Sequence, residues 1–200
     1  MDFLDLTEMQ LDALREISNI GAGNAVTALS TLLGRSVDMK VPLIKVIGIE
    51  EIYDNIDLEK MVVGVSIEAK GELQGNILFL LKEDVAFDII NKFVEKTDEV
   101  FGEFGESVIC EFGNIISSTY MNAVSEFTGL SMIAGVPAIA HDIAGAMIPT
   151  MFIASLEDAD KILEIKIILK DYDGEEIGAD FYYLPKPDSL EKIFKSIGLI

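Results

Sequence analysis

Apolar residues recur every three or four positions in two long segments of the chain, and this spacing predicts two long amphipathic helices. The first helix is expected from Thr7 to about Leu33, with Thr7 as its N-cap and a glutamine three positions later completing a capping pair. The second helix is expected from about Phe104 to about Phe127. A glycine shortly after the last apolar residue is predicted to end each helix. These glycines are Gly34 and Gly129.

On a helical wheel the apolar residues of each helix gather near a common line, which predicts one buried stripe per helix. The stripe of the first helix comprises Leu14, Ile17, Gly21, Ala25, Ala28 and Leu32. The stripe of the second comprises Ile109, Phe112, Ile116, Tyr120, Ala123 and Phe127. The polar residues opposite the two stripes are Asp12, Glu16 and Asn19, and Ser107, Glu111 and Asn114. Both polar groups are therefore predicted to face solvent.

Shorter apolar or alternating segments follow each helix, and they predict strands. The predicted strands are Met61–Glu68 and Leu73–Leu81 in the first half, and Met151–Ala154, Ile162–Leu169 and Ile177–Leu184 in the second. Turns are expected at Lys70-Gly71 and at residues 172–174. A helix is expected to close each half, over about Glu83–Glu95 and about Asp188–Ser196.

The two halves are related by an internal duplication. Residues 16–42 align with residues 111–137 at an offset of 95 positions, and nine of the 27 aligned residues are identical. Unrelated segments of ordinary composition match at about one position in 15, so about two matches are expected by chance. The repeats span about 8–97 and 103–198 without a linker-like segment between them, which predicts a single domain over 1–200. The predicted fold is an α/β domain with pseudo-twofold symmetry, whose long helices pack on a shared, largely antiparallel sheet.

A glutamate followed three positions later by an asparagine occupies the outer face of both helices. The two pairs are Glu16 with Asn19 and Glu111 with Asn114. A single pair of this kind on a solvent-exposed helix face indicates nothing beyond solubility. Exposed positions drift freely between copies, so the presence of the same pair in both indicates a function. The next turn of this face carries Gly23 in one copy and Ser118 in the other, and residues this small would let the backbone of another protein approach.

The composition narrows the function further. Fifteen basic against 35 acidic residues give a net charge of −20, which disfavours binding to nucleic acid or to anionic membranes. Cys110 is the only cysteine and His141 the only histidine, so the sequence offers neither a disulfide framework nor the ligands of a transition-metal site. No metal site is therefore predicted.

One segment, Gly129–Leu156, is nearly continuous apolar sequence. Asp142 near its middle would cost about 2.5–3.5 kcal/mol in a bilayer, and Pro137 and Pro149 divide the run into pieces too short to span one. The segment is interpreted as core with a possible partner surface. The first ten residues are acidic and resemble neither a signal nor a transit peptide. The chain is therefore expected to be soluble and cytoplasmic.

The pattern [Asp/Ser]-x₃-Glu-x₂-Asn-x₂₂-Pro occurs twice and resembles that of the CheC family of chemotaxis phosphatases. The residues that match it are Asp12, Glu16, Asn19 and Pro42, and Ser107, Glu111, Asn114 and Pro137. Residues 16–25 also resemble the first helix of that family, and the resemblance covers essentially the whole chain, with no appended domain.

This resemblance implies an enzyme that hydrolyses the aspartyl phosphate of the response regulator CheY. It assigns Asn19 and Asn114 to orientation of the attacking water, as a glutamine does in GTPases, and Glu16 and Glu111 to pairing with the regulator's active-site lysine. Asp12 and Ser107 would support that contact or cap the helix locally. The chain would need no cofactor of its own, because the Mg²⁺ would belong to the regulator.

The resemblance also implies a second partner, the receptor deamidase CheD. CheC proteins bind it through a short helix, for which the matching segment is about Ala138–Ile148, with Asp142 as its polar contact. Burial of the same segment in the core is an equal alternative. Two non-catalytic functions stay open: a protein that chiefly binds and regulates CheD, and a passive acidic docking module of the motility apparatus. A monomer is expected, because the duplication internalises a contact that single-motif relatives make by dimerising.

Overall fold

The computed structural model describes residues 6–40, 42–48, 51, 57–93, 101–153, 161–170, 173–174 and 176–200. The elements of the first repeat are α1 (Glu8–Leu33), β1 (Asp38–Met39), β2 (Leu43–Gly48), β3 (Met61–Gly71), β4 (Gly75–Lys82) and α2 (Glu83–Phe93). Those of the second are α3 (Glu103–Thr128), β5 (Met132–Ala134), β6 (Ala138–Ile143), α4 (Ala144–Ile153), β7 (Lys161–Lys170), β8 (Glu176–Pro185) and α5 (Pro187–Ser196). Among the described residues the order of elements is the same in both repeats, apart from α4.

The two long helices begin and end close to where the sequence predicts, and local signals fix both ends of α1 and the C-terminal end of α3. The Thr7 hydroxyl accepts a hydrogen bond from the Gln10 amide at 3.3 Å, and Gln10 Oε1 accepts one from the Thr7 amide at 2.9 Å. This capping box satisfies two amides that the first turn leaves without helical partners. Gly34 and Gly129 end α1 and α3 in the left-handed conformation, at φ 61° and 70°. Glycine adopts that conformation without steric cost.

All eight strands of the described chain belong to one antiparallel sheet, which confirms the predicted fold class. The strands β4 and β8, one from each repeat, pair at its centre. The repeats exchange their edge strands: β1 and β2 pair with β7 of the second repeat, whereas β5 and β6 pair with β3 of the first. Each repeat therefore completes the sheet of the other.

The two prolines of the motif lie at matching irregularities of this sheet. Between β1 and β2 the partners advance from Met39↔Leu169 to Leu43↔Lys166, so four residues oppose three. Between β5 and β6 the partners advance by the same four residues against three, which makes a matching bulge. Pro42 and Pro137 are the last residues of the two bulges. Because proline has no amide hydrogen, it fits a place where the edge ladder is already interrupted.

The core lies between the sheet and the helix pair α1 and α3, and it includes residues of both repeats. Gly21 of α1 faces Tyr120 and Val124 of α3. In the duplicated sequence Ala25 corresponds to Tyr120 and Ile116 corresponds to Gly21, and these two residues line a small cavity beside the contact. Ala25 follows Gly21 in α1, whereas Ile116 precedes Tyr120 in α3, so α1 and α3 run antiparallel. They cross near Gly23 and Ser118.

The other face of the sheet carries a smaller apolar cluster. Along β8 the side chains alternate between the faces, so that Phe181 and Tyr183 point to the helix pair while Tyr182 and Leu184 point away from it. The helix α4 covers part of this second cluster through buried Ala144 and Met147. Apolar residues on both faces explain why the strands read as nearly continuous apolar runs.

The structure corrects the C-terminal part of the predicted stripes. Near the end of α1 the buried residues are Leu29 and Leu33 rather than Ala28 and Leu32, which are half-buried. There α1 also packs on β1 and β2, so its buried face turns toward the sheet edge. Phe127 of α3 is 46% exposed, also against prediction.

Three predicted segments differ from the structure. The strand predicted over Met151–Ala154 is wrong, because residues 151–153 belong to α4; residue 154 lies outside the described residues. The helix implied over Ala138–Ile148 is wrong for its first half, because residues 138–143 form β6 and pair with β3. The turn predicted at Lys70-Gly71 lies instead at residues 72–74. Gly71 stays in β3, and a Cβ there would lie 2.8 Å from the Ser131 carbonyl oxygen.

The other predicted strands and closing helices are confirmed within a few residues at each end. Residue 172 of the turn predicted at 172–174 lies outside the described residues. Residues 94–95, at the end of the helix predicted to close the first half, also lie outside them. Among the described helices none is long and apolar enough to cross a bilayer.

Candidate functional site

The outer face of α1 carries the first Glu/Asn pair in the predicted orientation. Asp12, Glu16 and Asn19 are all exposed. The Arg15 guanidinium donates to the Asp12 carboxylate at 2.5 Å, so this aspartate is engaged within its own helix. Arg15 is not among the predicted residues, although an arginine three positions after an aspartate is the expected signal of such a pair. Among the described residues no cation pairs with the Glu16 carboxylate, which is therefore free to meet a positive charge on a partner.

The outer face of α3 carries the second pair with one difference. Ser107 and Glu111 are exposed as predicted, but Asn114 is half-buried. The Ser107 hydroxyl donates to the Glu103 carbonyl at 2.8 Å, so it too is satisfied within its helix. As at the first pair, no cation of the described chain pairs with Glu111. Each helix thus presents an unpaired carboxylate and a side-chain amide about one turn apart, or about 4.5 Å along the axis.

The helical turn that follows each asparagine differs between the two sites. Ser118 donates a long hydrogen bond to Asn114 Oδ1, at 3.4 Å, which favours one orientation of the amide. Asn19 has no such neighbour, because the equivalent position is Gly23. A Cβ at Gly23 would meet no atom within 4 Å, so the space beside this glycine is open. The site on α1 therefore offers a freer amide and more room, and the site on α3 a better oriented amide.

The fold sets the two sites apart symmetrically. Glu16 and Glu111 each lie seven residues from the helix crossing near Gly23 and Ser118, or about 10 Å along the axis. Because the helices run antiparallel, the two sites lie on opposite sides of that crossing. Both sites face away from the sheet, so a large partner can reach each pair.

The remaining predicted residues lie elsewhere in the fold. Pro42 is buried and Pro137 half-buried, each directly before an edge strand, so they shape the sheet edge rather than the helix surface. Asp142 is exposed on the edge strand β6, where its carboxylate accepts a hydrogen bond from the Ile143 amide at 2.7 Å. Its neighbour His141 contacts the Glu83 carboxylate at 2.9 Å and stacks on the Phe101 ring.

Cys110 occupies the position in α3 that corresponds to Arg15 in α1. Burial raises the pKa of this thiol, and the negative charge of Glu106 raises it further. A raised pKa keeps the thiol protonated and a poor nucleophile at neutral pH. The described part of the chain contains no cluster of three histidine, cysteine or acidic side chains arranged to bind a metal ion.

Known proteins resemble this chain in both sequence and structure. The sequence model of the CheC-like family matches residues 9–46 and 104–141, and each match contains one Glu/Asn pair. A relative from Bacillus subtilis, the CheY-P phosphatase CheC, is 29% identical over 203 residues, which cover 98% of this chain and 97% of the relative.

Two solved structures show the same fold. The FliY structure from Thermotoga maritima superposes with a TM-score of 0.75 at 21% identity, over 97% of this chain and 98% of the other. CheX, in the CheX-CheY-BeF3-Mg+2 complex from Borrelia burgdorferi, superposes with a TM-score of 0.56 at 16% identity, over 84% of this chain and 97% of the other. The matched repeats, the near full-length relative and the shared fold agree: both repeats of this chain resemble the CheC-like family.

Proposed function

We propose that this protein is a phosphatase that hydrolyses the aspartyl phosphate of the response regulator CheY, with one site on α1 and one on α3. The observation that carries the proposal is the outward-facing Glu/Asn pair repeated on two helices of one domain. The name of the B. subtilis relative, a CheY-P phosphatase, supports the same reaction. The complex of the structurally similar CheX with CheY, BeF3 and Mg²⁺ supports the choice of partner.

The reaction requires little of the enzyme beyond orientation. Water attacks the phosphorus in line, the bond from phosphorus to the aspartyl oxygen breaks, and free carboxylate and inorganic phosphate form. The proton of the attacking water passes to phosphate or solvent. A carboxylate is a good leaving group, so a general acid is not needed, and positioning of the water supplies most of the acceleration.

The amides of Asn19 and Asn114 suit this positioning. A side-chain amide can accept a hydrogen bond from the water through its oxygen and donate one through its nitrogen, which fixes the direction of the attacking lone pair. The hydroxyl of Ser118 holds one orientation of the Asn114 amide before the partner arrives. Asn19 would have to be ordered by the complex itself, because Gly23 contributes no side chain.

The carboxylates of Glu16 and Glu111 would dock the complex by pairing with the lysine of the regulator's active site. Both are exposed and unpaired among the described residues, so pairing breaks no internal contact. Asp12 and Ser107 act within their helices, and the small residues Gly23 and Ser118 leave room for the partner. The Mg²⁺ belongs to the regulator in this proposal.

The test is the decay of phosphorylated CheY from the same organism, with Mg²⁺, with and without the protein. We expect the decay to accelerate, and the double variant Asn19→Ala with Asn114→Ala to return it to the spontaneous rate. Each single variant should keep part of the activity, because each site is complete. Exposed Asn24 offers a matched control: its amide is bonded to the Ile20 carbonyl and points about 140° away from Asn19, so Asn24→Ala should change nothing.

Acceleration that survives the double asparagine change would contradict the assigned chemistry. A separate variant pair, Glu16→Ala with Glu111→Ala, should raise KM more than it lowers kcat, because it removes docking rather than water positioning. Binding to CheD and the monomeric state stay predictions. A complex with CheD that survives Asp142→Lys would remove Asp142 from that interface.

A further inference from the structure

A large apolar side chain stands exposed at the start of each long helix, at equivalent positions of the two repeats. Met9 in α1 is 67% exposed and Phe104 in α3 is 63% exposed. They are separated by 95 positions, the offset that also relates the two Glu/Asn pairs. Phe127 is the other exposed large apolar residue of these helices, and its counterpart Leu32 is half-buried. Within α1 and α3, exposure of a large apolar residue in both copies is thus specific to Met9 and Phe104.

These side chains lie on the same helix face as the Glu/Asn pairs. Met9 precedes Glu16 by seven residues, which is two turns less about 20°, so the two side chains project in nearly the same direction. The distance along the axis is about 10 Å from Met9 to Glu16 and about 15 Å from Met9 to Asn19. The same spacing separates Phe104 from Glu111. Each outer face therefore reads, from the helix start, as an apolar residue, a carboxylate and an amide.

The requirements for starting a helix do not explain why these two exposed positions are apolar. Both occupy the second helical position, after the caps Thr7 and Gly102. Acidic residues suit the first turn best, because they interact favourably with the helix dipole, and an exposed apolar residue contributes nothing there. The position that would pack against the residue before the cap is the fourth of the helix, not the second. A single exposed apolar residue is ordinary, but its repetition beside both candidate sites is a separate observation.

We propose that Met9 and Phe104 are the apolar anchors through which each site docks the phosphorylated response regulator; this inference rests on the proposed function. The surface of the regulator would carry an apolar depression about 10 Å from the lysine that meets Glu16 or Glu111. Docking at three points, apolar side chain, carboxylate and amide, would fix the rotation of the regulator about the lysine contact. An ion pair alone leaves that rotation free and is weakened by salt.

The experiment uses the full chain and measures both kcat and KM for phosphorylated regulator, together with binding of beryllofluoride-activated regulator. The variant Met9→Ala with Phe104→Ala should raise KM and Kd about tenfold and leave kcat at saturation unchanged, as loss of an interface anchor does. The conservative variant Met9→Leu with Phe104→Leu should stay within about twofold of wild type, because it retains the apolar area. Both changes replace exposed side chains, so folding is not expected to suffer.

Phe127→Ala is the matched control. This residue is also exposed on α3 but lies about 24 Å along the axis from Glu111 and on the opposite side of the helix, so KM of the α3 site, measured with Asn19→Ala present to silence the α1 site, should not change. An unchanged KM in the double alanine variant of an active enzyme overturns the anchor and leaves the proposed function intact. A fall in kcat at constant KM would also overturn it. A wild-type protein that neither binds nor dephosphorylates the regulator removes the proposed function, and the anchor with it.

Discussion

Two glycines of α1, two positions apart, are expected to respond oppositely to the same substitution by alanine. A Cβ on Gly21 would lie 2.6 Å from two ring carbons of Tyr120 and 3.2 Å from a methyl group of Val124. Tyr120 is only 1% exposed, and its ring packs against Phe181 at a centroid distance of 4.9 Å, so it has little room to move. A Cβ on Gly23 would meet no atom within 4 Å.

The magnitudes follow from two opposing effects. Alanine in a helix interior is more favourable than glycine by about 1 kcal/mol, and this gain applies at both positions. Overpacking costs about 1–3 kcal/mol, and it applies only at Gly21. The confined ring of Tyr120 places this cost near the upper end, so Gly21→Ala should lower the free energy of unfolding by about 2 kcal/mol. Gly23→Ala should raise it by about 1 kcal/mol.

Urea unfolding followed by circular dichroism measures the difference, expected to be about 3 kcal/mol between the two variants. For a chain of this length, Gly23→Ala should also raise Tm by about 2–4 °C. A Gly21→Ala protein that is as stable as Gly23→Ala would refute the close approach of α1 and α3 at this point. Gly23→Ala adds a methyl group one turn beyond Asn19, so under the proposed function it should raise KM in spite of its greater stability.

Two further predictions concern stability. Glu72 accepts hydrogen bonds from the amide and hydroxyl of Ser131, which lower its pKa. The folded pKa lies below the unfolded one, so the stabilisation is present above pH 4.5 and lost as the pH falls through the lowered pKa. Wild type should unfold at higher urea than Glu72→Gln at pH 7; a difference that persists at pH 2 would contradict this. The buried Tyr183 hydroxyl has no hydrogen-bond partner among the described residues, so Tyr183→Phe should raise the free energy of unfolding by about 1 kcal/mol in the same urea assay, whereas destabilisation would reveal a partner.

Features that depend on neighbouring residues were predictable from the sequence. The capping box at Thr7 and the left-handed glycine at Gly34 are satisfied within a few residues of chain, so they gave the ends of α1 correctly. The outward direction of Glu16 and Asn19 followed from the period of the helix alone. The half-buried state of Asn114 did not, because it depends on what packs around α3.

Features that depend on distant contacts were not predictable. The exchange of edge strands leaves no local signal, because the sequence of a strand as short as β1 does not specify which repeat it pairs with. The sequence predicts a turn at Gly71, whereas its backbone accommodates the close approach of Ser131, which directly precedes β5. Residues 151–153 show the limit of periodicity: a short apolar run fits a buried strand or a buried helix, and the contacts of α4 decide between them.

The exchange of edge strands also bears on how the two sites can evolve. A mutation that weakens β1 or β2 damages the sheet edge formed with the second repeat, so neither repeat can decay alone. The outer faces of α1 and α3 do not depend on each other in this way. α1 carries Arg15 where α3 carries Cys110, and α1 carries Gly23 where α3 carries Ser118. Under the proposed function, selection therefore acts on one shared scaffold but on two separate helix faces, so one face can change while the other keeps its Glu/Asn pair.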